Sequence, residues 1–168
     1  RVLALSGHRV VLVGGDLRAP GTAGLQGSPG LADVLTGSAY LGEALVKGSV
    51  EGLELLPAGR MPANPSELLG APMMRDLLRE LAADRLVIID APPVLRFTDG
   101  VVLAARAGGV ILVARAGRTS AEDLHEAALA IEQGGGRMLG VVLNNVSELG
   151  GKRKSLRSGV VSAESVPV

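Results

Sequence analysis

Three apolar runs in this chain stop abruptly at side chains able to do chemistry. Val10-Val11-Leu12-Val13 leads into Gly14-Gly15-Asp16-Leu17-Arg18, Leu86-Val87-Ile88-Ile89 into Asp90-Ala91-Pro92-Pro93, and Leu139-Gly140-Val141-Val142-Leu143 into Asn144-Asn145. A carboxylate at the end of a buried strand can hold Mg²⁺, often through water, beside nucleotide phosphates. An arginine two residues beyond it can clamp phosphate through its planar fork. An amide offers a donor and an acceptor together, which suits the edge of a base. Each group also has a plainer use. Asp90 can cap a helix or turn, Asp16 and Arg18 can form a surface ion pair at a loop start, and Asn144 can sit in a turn at positive φ.

The elements that must position these groups follow from the pattern around them. Runs apolar at every position, rather than alternating, are typical of parallel strands covered on both faces. Ligands of open parallel sheets bind at the carboxyl ends of the strands, so Asp16, Asp90 and Asn144 are expected to share one site. Between the runs, Leu31 to Leu35 and Leu41 to Val46 read as short helices, and Leu53 to Leu56 as a strand halted by Pro57-Ala58-Gly59. Asn64-Pro65 opens a helical turn, with proline at the first helical position. Met73 to Ala83 is amphipathic, with Met74, Leu77, Leu78 and Leu81 on one face. Thr98-Asp99 starts a helix, Val110 to Ala114 is a further strand, and Thr119 or Ser120 caps a helix that runs to Gln133 and ends at Gly134-Gly135-Gly136. The alternation predicts an α/β fold, a doubly wound and mainly parallel sheet flanked by helices.

Composition narrows the function. At 168 residues the chain can bury a real core, and 47% apolar content excludes disorder for most of it. Aromatic residues are 1%, so that core must be aliphatic. Zero formal net charge argues against a bulk nucleic-acid binder, and no nucleic acid is expected as a partner. Without cysteine there is no disulfide or thiolate chemistry, and His8 and His125 lack metal-ligand spacing. No run of about 18 apolar residues exists, and no signal peptide is seen. Residues 147–168, with Lys152-Arg153-Lys154 and Arg157 among glycines and serines, read as a flexible or loosely docked basic tail, which leaves 1–146 as the folded domain.

Taken together these residues resemble the bacterial tyrosine kinases (BY-kinases) of capsular and exopolysaccharide synthesis, P-loop proteins related to the MinD/ParA ATPases. Val11 to Pro20 looks like the second Walker motif of that family, Walker A′, a strand followed by D-x-D-x-R. Leu55 to Gly59, Pro62 and Asn64-Pro65-Ser66-Glu67-Leu68-Leu69 are similar to a family-typical stretch and are the most discriminating match. Val87 to Pro93 with Thr98-Asp99 looks like its Walker B region, and Gly140 to Asn144 like its last core strand, whose Asn lies near adenine in relatives. The resemblance implies ATP and Mg²⁺ as cofactors, Asp16 and Asp90 as catalytic acids on the metal side through water, and Arg18 and Asn144 as nucleotide-binding residues. It implies a membrane chain-length regulator as partner, homo-oligomer formation, and a cytoplasmic place at the inner face of the cell membrane.

The chain departs from that pattern at three points. It contains no G-x-x-x-x-G-K-[ST], and because Arg1 to Ser6 reads as the end of a helix, the expectation is a sequence that starts after its Walker A segment. The first acid of D-x-D-x-R, thought to activate the attacking tyrosine hydroxyl, is Gly14, which has no proton acceptor. The tail carries no tyrosine cluster, and Tyr40 is the only tyrosine. Three functions remain open: an ATP-binding tyrosine-kinase domain with impaired catalysis, a MinD/ParA-like ATPase, and a non-catalytic pseudokinase that docks partners.

Overall fold

The computed structural model describes residues 1–18 and 29–146. The expected loop at 19–28 and the basic tail at 147–168 lie outside the described residues. The chain forms two compact units, Arg1–Leu103 and the part from Ala104 onward, taken here one at a time.

The first unit opens with a short helix α1 (Val2–Leu5), which ends at Ser6. Gly7, at φ +90°, turns the chain out of it, a conformation that costs glycine little. Strand β1 (Val10–Gly14) follows, then helices α2 (Leu31–Leu35) and α3 (Leu41–Ala44), strands β2 (Val46–Lys47) and β3 (Leu53–Leu56), helices α4 (Pro65–Gly70) and α5 (Pro72–Ala82), strand β4 (Leu86–Asp90) and helix α6 (Asp99–Ala104). The sheet order is β2-β3-β1-β4. β1 runs parallel to both neighbours, and β2 is an antiparallel edge. The expected helix at 41–46 stops two residues early, because Val46 pairs with Leu55 as strand. Its β-branched side chain suits a strand better than a helix end.

β1 is the buried centre. Val11 and Val13 point into the main core with Leu56, Leu69, Met74 and Leu81, while Val10 packs on the opposite face with Ala4 and Leu53. Helix α5 supplies the wall of that core through Met74, Leu77, Leu78 and Leu81, the face its apolar spacing predicts. The expectation of strands buried on both faces fails for β4. Val87 and Ile89 pack against the core, while Leu86 and Ile88 are 47% and 38% exposed. The two faces of β4 therefore differ: one packs on the helices of the main core and the other is partly open.

The second unit is a βαβ element. Strand β5 (Val110–Arg115) and strand β6 (Met138–Asn144) are parallel, joined by helix α7 (Ala121–Gln133). Ser120 caps α7 in a capping box: its Oγ accepts the Asp123 N–H, and the Asp123 carboxylate accepts the Ser120 N–H. Thr119, the other candidate cap, instead accepts the Arg115 N–H. Ala127 and Ile131 of α7 and Ala114 of β5 are buried, and Ile111, Val113 and Val142 are exposed. The single expected sheet is therefore described as a four-stranded and a two-stranded sheet, mainly parallel and flanked by helices. Among the described residues no helix is long and apolar enough to cross a membrane.

Candidate functional site

The parallel register of β1 and β4 brings two of the strand-end acids to one rim. Gly14 pairs with Asp90, and the Gly15 N–H donates to the Asp90 carbonyl at 2.8 Å. Asp16 thus leaves β1 next to the end of β4, part-buried, while the Asp90 side chain is exposed. Both glycines between strand and acid are required by packing rather than by backbone angle. A Cβ on Gly15 would lie 2.8 Å from side-chain carbons of Ile89 and Leu103. A Cβ on Gly14 would lie 2.8 Å from the backbone nitrogen of Ala58, an atom that cannot swing aside. The rim has closed over the position where the family pattern has its first acid.

Beyond Asp16 the chain is anchored twice. Leu17 is buried in the core. Arg18 folds over the rim, and its guanidinium forks on Asp99 at the start of α6, Nε to Oδ2 at 2.8 Å and Nη2 to Oδ1 at 3.2 Å. It lies 4.6 Å from the centre of the Phe97 ring, and Nη2 donates to the Ser66 hydroxyl of α4 at 3.4 Å. Ser66 donates to the same Asp99 carboxylate and stands 3.2 Å from the Thr98 hydroxyl. The Arg18 N–H returns to Asp16 Oδ1 at 3.0 Å. One fully buried carboxylate therefore gathers an arginine from the end of β1 and a hydroxyl from α4. Burial alone would push the Asp99 carboxyl up; the hydrogen bonds from Arg18 and Ser66 and the guanidinium charge outweigh it and hold the group below the usual aspartate range. The hydrogen bond to Asp99 raises Arg18 in turn, against its own desolvation.

A second buried carboxylate fixes the neighbouring loop. Asp33 of α2 accepts the N–H of Gly30 at 3.0 Å, the N–H of Arg60 at 3.3 Å and Arg60 Nε at 3.1 Å. The first free N–H groups of α2 donate to carbonyls of the loop after β3, Leu31 to Pro57 at 2.7 Å and Ala32 to Ala58 at 3.0 Å. Gly59, at φ +80°, allows the close approach, since a Cβ there would lie 2.5 Å from Asp33 Oδ2. This loop is the one that crowds Gly14.

Of the residues singled out from sequence, Asp16, Asp90 and Arg18 come together in the first unit. The Arg18 guanidinium, expected on phosphate, is occupied by Asp99. Asn144 ends β6 in the second unit, paired with Arg115, and its carbonyl accepts the Ala116 N–H at 2.9 Å. The positive-φ turn falls on Asn145, at φ 60°, whose N–H donates to the Asn144 side-chain oxygen at 2.7 Å. Asn64, expected to cap α4, precedes Pro65 as foreseen but turns its amide to Glu67 instead of accepting a helix N–H. Asp33, and the roles of Asp99 and Ser66, escaped the sequence reading; the signal available was an acid or hydroxyl at a helix start, which ordinarily means a cap. Among the described residues no three His, Cys, Asp or Glu side chains are grouped to hold a metal.

Comparison with known proteins gives this geometry its kinship. No protein-family model matches the chain. Tyrosine-protein kinase ptk of Acinetobacter johnsonii is 34% identical over 150 residues, 86% of this chain and 20% of that protein. The chain spans about a fifth of the length of the first curated relatives it matches. The solved kinase domain of Escherichia coli tyrosine kinase ETK superposes with TM-score 0.84 at 32% identity, over 92% of this chain and 62% of that one. The VpsO kinase domain does so with TM-score 0.79 at 34% identity, over 86% and 74%. The septum site-determining protein MinD of Pyrococcus horikoshii shares the fold at 21% identity and TM-score 0.65, over 84% and 59%. Such identity across most of a solved kinase domain, on a sheet whose β1 and β4 carry the acids that suggested it, means that the chain belongs to the bacterial tyrosine kinases, with the P-loop fold they share with MinD.

Proposed function

We propose that this chain is the nucleotide-side part of a BY-kinase domain, binding ATP–Mg²⁺ at the rim formed by the ends of β1 and β4, with phosphotransfer impaired. The observation that carries this is the pairing of Gly14 with Asp90, which sets Asp16 and Asp90 at the same end of adjacent parallel strands. Two carboxylates so placed suit the hydrated side of a magnesium ion, and they are too few to enclose one. The residues present thus fit the metal side of ATP–Mg²⁺; the phosphate cradle of a P-loop is not among these 168 residues. When bound, Mg²⁺ would neutralise charge on the β- and γ-phosphates. What the chain itself does is hold Asp16 at the rim and exclude a side chain at Gly14.

Kinship extends the reading to context. A membrane chain-length regulator of polysaccharide export is the proposed partner, at the inner face of the cell membrane, with subunit contacts between copies. The identity to kinases, 32% and 34%, against 21% to MinD, favours the kinase branch over a positioning ATPase. A second reading, a pseudokinase that binds nucleotide or partner without transfer, is favoured by the backbone of Ala58 lying where an acid at position 14 would stand. A positioned general base is worth about 10²–10⁴-fold in rate, so its loss suffices to separate binding from catalysis.

The test is calorimetric titration with ATP and Mg²⁺, followed by incubation with γ-labelled ATP and detection of phosphotyrosine. It is run on the chain and on any longer product of its gene. Mg²⁺-dependent binding that Asp16→Asn and Asp90→Asn weaken supports the site. Label on Tyr40 or a partner tyrosine would return the chain to the active kinases, and absence of ATP binding in every form would leave only the docking module.

A further inference from the structure

The most heavily connected side chain near the rim is one the proposed chemistry does not use. Asp99 is fully buried, yet carries charge. Its two oxygens take the Arg18 fork, and Oδ1 also takes the Ser66 hydroxyl. Arg18 is held from three other directions by Phe97, by Ser66 and, through its backbone N–H, by Asp16 Oδ1. A guanidinium used by phosphate would need to leave this cage, and would strand a buried carboxylate behind it. A guanidinium left in the cage does something else. It anchors the residue whose backbone N–H donates to the Asp16 carboxylate.

We propose that Asp99 is the positioning residue of the rim: it acts through Arg18 to set the Asp16 carboxylate, and Arg18 serves as the link rather than as a phosphate ligand. The functional sense of this rests on Asp16 being the metal-side acid of an ATP–Mg²⁺ site. Ser66 makes the link three-way. It brings α4, the segment opening with Asn64-Pro65, to the same carboxylate that holds the end of β1, so a loosened α4 would loosen Asp16. Partners one step removed from a metal-side group are typically worth about 10–100-fold in metal affinity.

The test uses the full chain and two readouts. The first is hydrogen exchange of the Arg18 amide, read by NMR without nucleotide. The second is the Mg²⁺ concentration giving half-maximal ATP binding, compared with ATP binding in the absence of Mg²⁺. Asp99→Asn, nearly the same shape, should speed Arg18 exchange about tenfold and raise the Mg²⁺ requirement about tenfold. ATP binding without Mg²⁺ should stay within about twofold. Asp16→Asn should raise the Mg²⁺ requirement alike, and adding Asp99→Asn to it should raise it no further, because the two act in series. Ser66→Ala, which keeps the ion pair, is the milder second variant, expected at about threefold in the same direction. Leu81→Ala, a core cavity away from the rim, should lower Tm at least as much and move neither readout.

The proposal is overturned if Asp99→Asn leaves both readouts at wild type, if Leu81→Ala reproduces them, or if Arg18→Ala abolishes Mg²⁺-free ATP binding while Asp99→Asn spares it. That last result would make Arg18 a phosphate ligand. Should the wild-type chain bind no ATP–Mg²⁺, the nucleotide reading falls by itself. The exchange readout then still decides whether Asp99 holds Arg18 against Asp16.

Discussion

The sheet of the first unit is edged by arginine–carboxylate pairs at both ends, and the two ends use them differently. At the amino ends of the strands, Arg9 meets Asp84, and Arg85 bridges Asp84 at 2.7 Å and Glu54 at 2.5 Å. The Arg9 and Asp84 side chains are 58% and 45% exposed, and Arg85 only 18%. At the carboxyl ends, Arg18 meets Asp99, whose side chain is 0% exposed. The chemistry of the pair is the same, but the dielectric is not. In water a pair of charges gains little and is screened; in the interior an unmatched charge is costly, so the pair becomes all-or-none. At the amino end a lost partner is replaced by water at small cost. The carboxyl end is committed to one arrangement, and Asp16 and Asp90 stand there.

Removing the buried partner should break the comparison hardest. Asp99→Asn is expected to lower Tm by roughly 10 °C at pH 7. The pH dependence has a definite sign. The folded-state pKa of Asp99 lies below its unfolded value, so its contribution is complete above the unfolded pKa, about 4, and is lost as pH falls below that through the folded pKa. The Tm gap between wild type and Asp99→Asn should therefore be constant from pH 7 to about 5 and close at lower pH. A gap that did not narrow at all below pH 4 would assign the loss to packing instead of charge.

Next in size is the rim's other commitment. Gly14→Asp restores the acid of the family pattern, but its Cβ would meet the Ala58 backbone at 2.8 Å. The expected cost is about 1–3 kcal/mol by chemical denaturation, as for other overpacked sites, with no gain in phosphotransfer. Gly14→Ala should cost nearly as much, since the clash begins at Cβ. If Gly14→Asp is neutral and Gly14→Ala is too, the rim has room and the pseudokinase reading loses its support.

How much of this could be read from the residues alone depends on the range over which each signal acts. The buried face of helix α5 was legible to the residue, although the helix runs Pro72–Ala82 instead of Met73 to Ala83, because its four buried side chains recur at helical spacing within eleven positions. A cap at Thr119 or Ser120 and the strands β1, β3 and β4 were legible for the same reason: cap and run are local. What a strand's far face meets is not local, so β4 and β6 read as fully covered and have exposed faces. The Arg18–Asp99 pair spans 81 positions and the Ser66–Asp99 contact 33, and a single sequence carries no mark of either. Arg18 therefore looked available for phosphate. Gly14 was legible as a missing base, but the closure of Ala58 over it depends on a loop pinned by Asp33 and Arg60 from another part of the chain.

At the amino end, Arg85→Ala should cost about 1 kcal/mol, the upper range for a partly exposed pair, since Glu54 is left 32% exposed and can be hydrated. Arg9→Ala sharpens the contrast from the opposite side. Its pair with Asp84 is the most open of the set, and Asp84 keeps Arg85 as a second partner when Arg9 is removed. The expected loss is about 0–0.5 kcal/mol in low salt and nothing measurable near 1 M salt, where the Debye length falls to about 3 Å. Asp99→Asn, by contrast, should keep most of its effect across the same salt range, because counterions cannot reach a carboxylate buried between α4 and α6. Parallel denaturation curves of the two variants at low and high salt test whether burial, rather than the pairing of charges as such, is what separates the two ends of the sheet. An Asp99→Asn effect that vanished with salt alongside that of Arg9→Ala would mean that solvent reaches the buried pair and that both ends work alike.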